Sequence, residues 1–222
     1  MAVNKGVLTM GRHDLTLGVA LKGQAGLAAG LYAPTPVLTP TGWVPAEALA
    51  AGDLVLSPDH GPCPIVAIRI PPRPALWSVL VPAGALDNTQ PVILPPGQPV
   101  RVATPLALPF TGEAAALIPA AALEGWRGIA PQVPACRESI LQLDLSRAAL
   151  VQAGPGLTLG LNTVTKGPAD LMRLLRAPPV SPVMPLQLAR HLVAALIAED
   201  TGLALRAAEL AQAACDRPAK RA

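Results

Sequence analysis

The sequence predicts a mainly β domain followed by an α-helical appendage. Three observations carry that expectation. The 27 Pro and 19 Gly are spread among apolar runs, which suits many short strands joined by turns better than long helices. Hydrophobic residues make up 51% of the chain and charged residues 14%, the balance of a chain that folds around a core. Near Lys166 the pattern changes from short alternating runs to helical spacing, with Leu188, Leu192, Val193 and Leu196 on one face. The predicted division is a lead-in over 1–26, a β domain over 27–165 and a helical appendage over 166–222. With aromatics at only 2%, the core has to be built from Ala, Leu, Val and Ile.

In chain order, "DLTLGVAL" in the lead-in alternates enough for one edge strand. "PVLT" (36–39) reads as a short strand ending at the turn Thr39-Pro40-Thr41-Gly42. In "VPAEALAAGD", Pro45 opens a single helical turn, Glu47 sits near its start and Gly52 closes it. "DLVLS" (53–57) and "PIVAIRI" (64–70) flank "PDHGPC", a predicted hairpin loop. "LWSVLVP" (76–82) and "RVATP" (101–105) continue the strand pattern. Pro119 predicts a strand ending near Ile118 and a short helix beginning there. "SILQLDL" (139–145) alternates cleanly, and "AALVQAG" (148–154) is its expected hairpin partner. "AGPGLTLG" has the glycine density of a phosphate loop but lacks the Lys-Ser/Thr ending, so it reads as a hairpin end. Beyond Lys166, "GPADLMRLLRAP" is a short helix ended by Pro178 and Pro179. The last helix should cap or break at Gly202.

Composition excludes several function classes. The 17 Lys and Arg are scattered against 14 acids and form no phosphate-tracking stripe, so no nucleic-acid partner is expected. Cys63, Cys136 and Cys215 are odd in number and lack a C-x-x-C, so neither disulfides nor a zinc site is indicated. His13, His60 and His191 sit in unrelated segments without ligand spacing, and no metal or cofactor is expected. Asp59 beside His60 reads as a turn former, and Glu138 and Asp144 as isolated carboxylates. Trp43, Trp77 and Trp126 are expected in core or interface packing. Lys5, Arg12, His13 and Asp14 interrupt any signal-like apolar stretch. No apolar run reaches the ~20 residues of a membrane helix. The expectation is a soluble cytoplasmic protein with no membrane partner, signal-independent export remaining open.

The stretch "TPTGWVPAEALAAGDLVLSPDHGPCPIVAI" resembles the first block of the Hint (hedgehog/intein) self-processing domain, in its bacterial form. The matching positions are Thr35, Thr39, Pro40, Gly42, Pro45, Glu47, Leu49, Gly52, Asp53, Val55 and Leu56. The resemblance continues more loosely to about residue 165. It implies a disk of curved, pseudo-symmetric β hairpins.

It also implies where the chemistry would reside. Such domains begin with a Cys or Ser whose side chain takes up the acyl group of the preceding residue. That position falls on Gly30. A His in a Thr-x-x-His block protonates the departing nitrogen, and "PPGQ" puts Gln98 there. A second His is expected at Leu141, and Pro34 replaces a glycine. Thr35 and Thr39 are hydroxyls nearby, and Cys63 has no adjoining charge to activate it. The resemblance therefore implies a degenerate, non-catalytic member, a pseudoenzyme kept as a structural or protein- or peptide-binding module. Its hypothetical binding cleft would be lined by Gly30, Thr35 and Gln98. The alternative is active self-processing through an unassigned nucleophile. A third reading, an unrelated β-rich hydrolase or metal protein, requires His60, Asp59 and a carboxylate to converge, and a fourth is an assembly role for the appendage, which requires Leu192, Leu196 and Leu203 to be exposed.

Overall fold

The structure is a computed structural model that describes residues 27–71, 75–133, 139–161 and 182–215. The strand expected in "DLTLGVAL" and the helix expected in "GPADLMRLLRAP" lie outside the described residues.

The chain enters through a short strand, β1 (Leu31–Tyr32), and a hairpin of β2 (Pro36–Thr39) and β3 (Gly42–Pro45). A single 3-10 turn at Ala46–Ala48 follows, as Pro45 and Gly52 predict. Next come β4 (Leu54–Ser57), β5 (Gly61–Arg69), β6 (Ser78–Val81), β7 (Val92–Leu94), β8 (Pro99–Ala103) and β9 (Ala115–Pro119). A 3-10 turn at Ala120–Ala122 leads to the last four strands, β10 (Ala130–Gln132), β11 (Ile140–Leu145), β12 (Ala149–Gln152) and β13 (Thr158–Leu161). Two short helical turns, Pro105–Ala107 and Leu108–Thr111, lie between β8 and β9, and the last described element is the helix Leu186–Cys215.

The strands form antiparallel sheets in the orders β1-β11-β5-β4, β12-β13-β8-β9, β10-β6-β7 and β2-β3. Their inward faces meet in one core that includes Leu31, Val37, Ile65, Leu94, Ile118, Leu145 and Leu159. Strand β8 shows the pattern plainly: Val100 and Val102 are buried while the alternating Arg101 and Ala103 are exposed. Trp126 is buried in this core, Trp77 packs against it, and Trp43 is 42% exposed.

Three expectations are corrected. Strands β11 and β12 are not a hairpin. Both edges of β11 are already taken, by β1 and by β5, and a strand has only two. Strand β12 pairs instead with β13 through the turn at Gly154–Gly156. Cys63 is not in a loop: the ladder Leu56↔Pro62 and Ser57↔Gly61 shortens the turn, and Cys63 lies buried in β5 opposite Val55. The final helix runs through Gly202 without a break, because one glycine costs a helix only about 1 kcal/mol.

The C-terminal helix packs against the β core. Ala189, Leu192, Val193 and Leu196 are buried against the core. The segment leading into the helix is tied to β9 by a parallel bridge, Leu117↔Val183, and by Met184 N–H to the Leu117 carbonyl at 2.7 Å. Farther along, Asp200 accepts from Trp126 Nε1 and Arg127 Nε, each at 2.9 Å. The Arg127 guanidinium also stacks 4.6 Å from the Trp126 ring centroid. Leu203 is 58% exposed, but Leu192 and Leu196 are packed away, so the exposed patch that an assembly role required is not there.

Candidate functional site

The chain entry, Leu27 to Gly30, crosses the turn that precedes β8 and lies beside β11 and β13. These elements enclose a small cleft of about 80 Å³ lined by Ala29, Gly30, Arg69, Gln98, Gln142 and Asp144, among others.

Gln98 lines this cleft and is itself buried, 1% exposed. Its Oε1 accepts the backbone N–H of Gly30 at 3.0 Å. Its Nε2 donates to the carbonyls of Gly160 at 2.9 Å and Pro99 at 3.2 Å. One N–H and two carbonyls around one amide allow a single orientation of that amide. The main chain holds Gln98 in place: its N–H closes a turn onto the Pro95 carbonyl, and its own carbonyl accepts from Ala120.

The same peptide bond is held on its other side. Gln142 Nε2 donates to the Ala29 carbonyl at 3.1 Å. One residue upstream, the Ala28 carbonyl accepts from the Gly97 N–H at 2.7 Å. The Ala29–Gly30 peptide is thus bonded at its N–H by Gln98 and at its C=O by Gln142.

Strand β11 supplies Gln142 because of its period. Residues 142 and 144 share one face, while Leu141 and Leu143 point the other way into the core. Asp144, two residues on, is 2% exposed and is held by Arg69 from β5 in a two-point ion pair, 2.5 Å from Nε and 2.7 Å from Nη2. That pairing occupies both carboxylate oxygens and answers the need of a buried charge for a partner.

Two glycines make the arrangement sterically possible. Gly30 has φ +137°, and a Cβ built there would lie 2.6 Å from the Leu141 carbonyl oxygen and 2.6 Å from Ile140 Cγ2. At Gly97 a Cβ would lie 2.8 Å from the carbonyl oxygens of both Leu27 and Ala28. The frame and the entering chain touch backbone to backbone at both places.

The structure brings together two of the residues singled out from the sequence, Gly30 and Gln98, in direct hydrogen-bond contact. It does not bring Thr35 into the cleft. Thr35 is buried in the turn after β1, its N–H on the Tyr32 carbonyl and its carbonyl on Ala46 N–H. Leu141 pairs with Leu31 and sits in the core; its neighbour Gln142 faces the cleft. Sequence reasoning missed Gln142 and the Arg69–Asp144 pair. The available signal was two polar side chains at positions 142 and 144 on one face of an otherwise apolar strand.

The other candidates stand apart. Thr39 Oγ1 is spent on the Gly42 carbonyl at 2.7 Å. Burial pushes the Cys63 thiol up from its ordinary value; Arg147 opposes the shift and Asp59 adds to it. The thiol therefore stays protonated, and poorly nucleophilic, at neutral pH. Among the described residues no cluster of three or more His, Cys, Asp or Glu side chains could hold a metal ion, and no helix is long and apolar enough to cross a membrane. His13 and Glu138 lie outside the described residues.

Curled antiparallel hairpins that bring the chain's entry against a buried side chain define the class. The chain belongs to the Hint domain family, which matches residues 29–157. Among solved structures it is similar to the solution structure of a bacterial intein-like domain from Clostridium thermocellum. That match has 15% identity and a TM-score of 0.47, covering 61% of this chain and 99% of that one. It is also similar to the Msm DnaB1 intein splicing domain bound with zinc, at 21% identity and a TM-score of 0.39, covering 60% of this chain and 99% of that one. No curated protein matches.

Proposed function

We propose that this chain is a Hint domain that holds its N-terminal flank without cutting it, a non-catalytic structural or peptide-binding module. The observation that carries this reading is the contact between Gly30 N–H and Gln98 Oε1 at 3.0 Å. Acyl transfer needs a side-chain nucleophile at the residue after the bond to be broken, and a glycine has none. It also needs a proton delivered to the departing nitrogen. Here the group facing that nitrogen is an oxygen that accepts its hydrogen, and a glutamine amide has no proton to give near neutral pH. What remains is a frame that binds backbone: β1 pairs with β11, and two glutamines hold the next peptide bond upstream. This is strand addition performed in cis, and it is the basis for expecting a protein or peptide partner rather than a small-molecule substrate.

The test is the intact mass of the purified chain over a day at neutral pH, with and without dithiothreitol or hydroxylamine, which capture a thioester or ester. A single species at 22.7 kDa under all conditions is the expected result. Cleavage beside Gly30 would instead reveal self-processing, and the new terminus would identify the nucleophile.

A further inference from the structure

We infer that the groove formed by β11 and the turn before β8, which the chain's own Leu27–Tyr32 segment fills beside the cleft, is a glycine-selective peptide-binding site. The inference rests on the non-cleaving reading above and adds what the site selects.

The selection follows from which atoms touch. The two glutamines read only the N–H and C=O of one peptide bond, which every residue offers. Discrimination has to come from space. A side chain at position 30 would press on the carbonyl oxygen of Leu141. That carbonyl belongs to the strand pair Leu31↔Leu141 and cannot retreat without breaking the β1–β11 ladder. The backbone at 30 also has φ +137°, which L side chains rarely adopt. Position 30 therefore accepts glycine and rejects other residues.

The flanking positions add a second filter. Upstream, the carbonyls of Leu27 and Ala28 rest against the bare Cα of Gly97, so the peptide must run extended and close to the frame. Downstream, Leu31 is fully buried and Tyr32 nearly so, with its hydroxyl 2.6 Å from Ser78 Oγ. The ligand class is an extended segment with glycine followed by an apolar and then an aromatic residue.

The test uses the full chain. Gly30→Ala is expected to release the cis segment: amide exchange over 27–32 should accelerate at least tenfold while β5, β8 and β13 stay protected. The synthetic peptide Gly-Leu-Ala-Ala-Gly-Leu-Tyr should then bind the emptied groove at least tenfold more tightly than its counterpart with alanine at the fifth position. Equal binding of the two peptides, or release of the segment with neither peptide binding, overturns the inference. Should Gly30→Ala fail to fold, Gly97→Ala loosens the same segment at the contact upstream, where the Leu27 and Ala28 carbonyls rest on the frame. It should speed exchange of the Gly30 amide at least tenfold, and unchanged exchange overturns the inference. Mass measured on the same samples separates the two readings: a cut at 29/30 removes the non-cleaving function, whereas an intact chain without glycine discrimination removes only the selectivity.

Discussion

The backbone N–H of Gly30 and the side-chain oxygen of Gln98 meet at 3.0 Å although 68 residues separate them. The direction of this bond matters more than its length. Its hydrogen comes from the peptide, so the contact stabilises an intact amide. The Gln142 bond to the Ala29 carbonyl acts on the same group from the other side.

Gln98→Ala should therefore destabilise the domain. It leaves the Gly30 N–H and the Gly160 carbonyl without their buried partners, and each orphaned group costs on the order of 1–3 kcal/mol. Urea denaturation should show a lower midpoint with an unchanged slope. An unchanged midpoint would mean that water replaces the amide without loss.

Restoring a nucleophile should not restore chemistry. Gly30→Cys, alone or with Gln98→His, forces a side chain against the Leu141 carbonyl at a positive φ, a strain of about 1–3 kcal/mol before any clash. The expected result is a less stable chain whose mass is unchanged by dithiothreitol. A thiol-dependent cut at 29/30 would show that the cleft relaxes around the added sulfur.

Cys63 should resist alkylation in the native state and react only on unfolding. Its thiol is raised by burial first, with Arg147 opposing the shift and Asp59 adding to it by smaller amounts. For an acid with a raised folded value, the stabilising contribution is present below the unfolded value, near 9.0, and is lost as pH rises through the higher folded value. Peptide mapping after iodoacetamide at pH 7 should find Cys63 unmodified. Rapid native labelling would show that β4 and β5 open readily.

The far end of the C-terminal docking contact should loosen in acid. Asp200 is held below the usual carboxylate range by the hydrogen bond from Arg127 first, then by that from Trp126. Its contribution is present above the ordinary carboxylate value and fades as pH falls through the lowered folded value. Hydrogen exchange near Ile197–Thr201 should rise under those conditions, and in Asp200→Ala at neutral pH, with β8 and β9 unaffected. No change in Asp200→Ala would assign the docking to Leu192, Val193 and Leu196 alone.

Much of the fold was legible because local chemistry dictated it. Pro45 and Gly52 bound a helical turn, Pro119 ends a strand, and Gly154 and Gly156 make a hairpin end; each acts through its own backbone limits. Pairing was less legible. Strand β12 follows β11 in sequence, yet β1 and β5 had already filled both edges of β11, a long-range fact that no local pattern encodes.

The sequence by itself determined the family, the strand-rich frame, and the identities at positions 30 and 98, since residue types and spacings suffice for these. Only the tertiary structure decided that Gly30 and Gln98 touch, that Gln142 rather than Leu141 faces the cleft, and that the entering chain forms one of its walls. Those contacts join segments tens of residues apart. Their geometry is set by how the sheets curl and by backbone-to-backbone approach at Gly30 and Gly97, where the deciding feature is a side chain that does not exist.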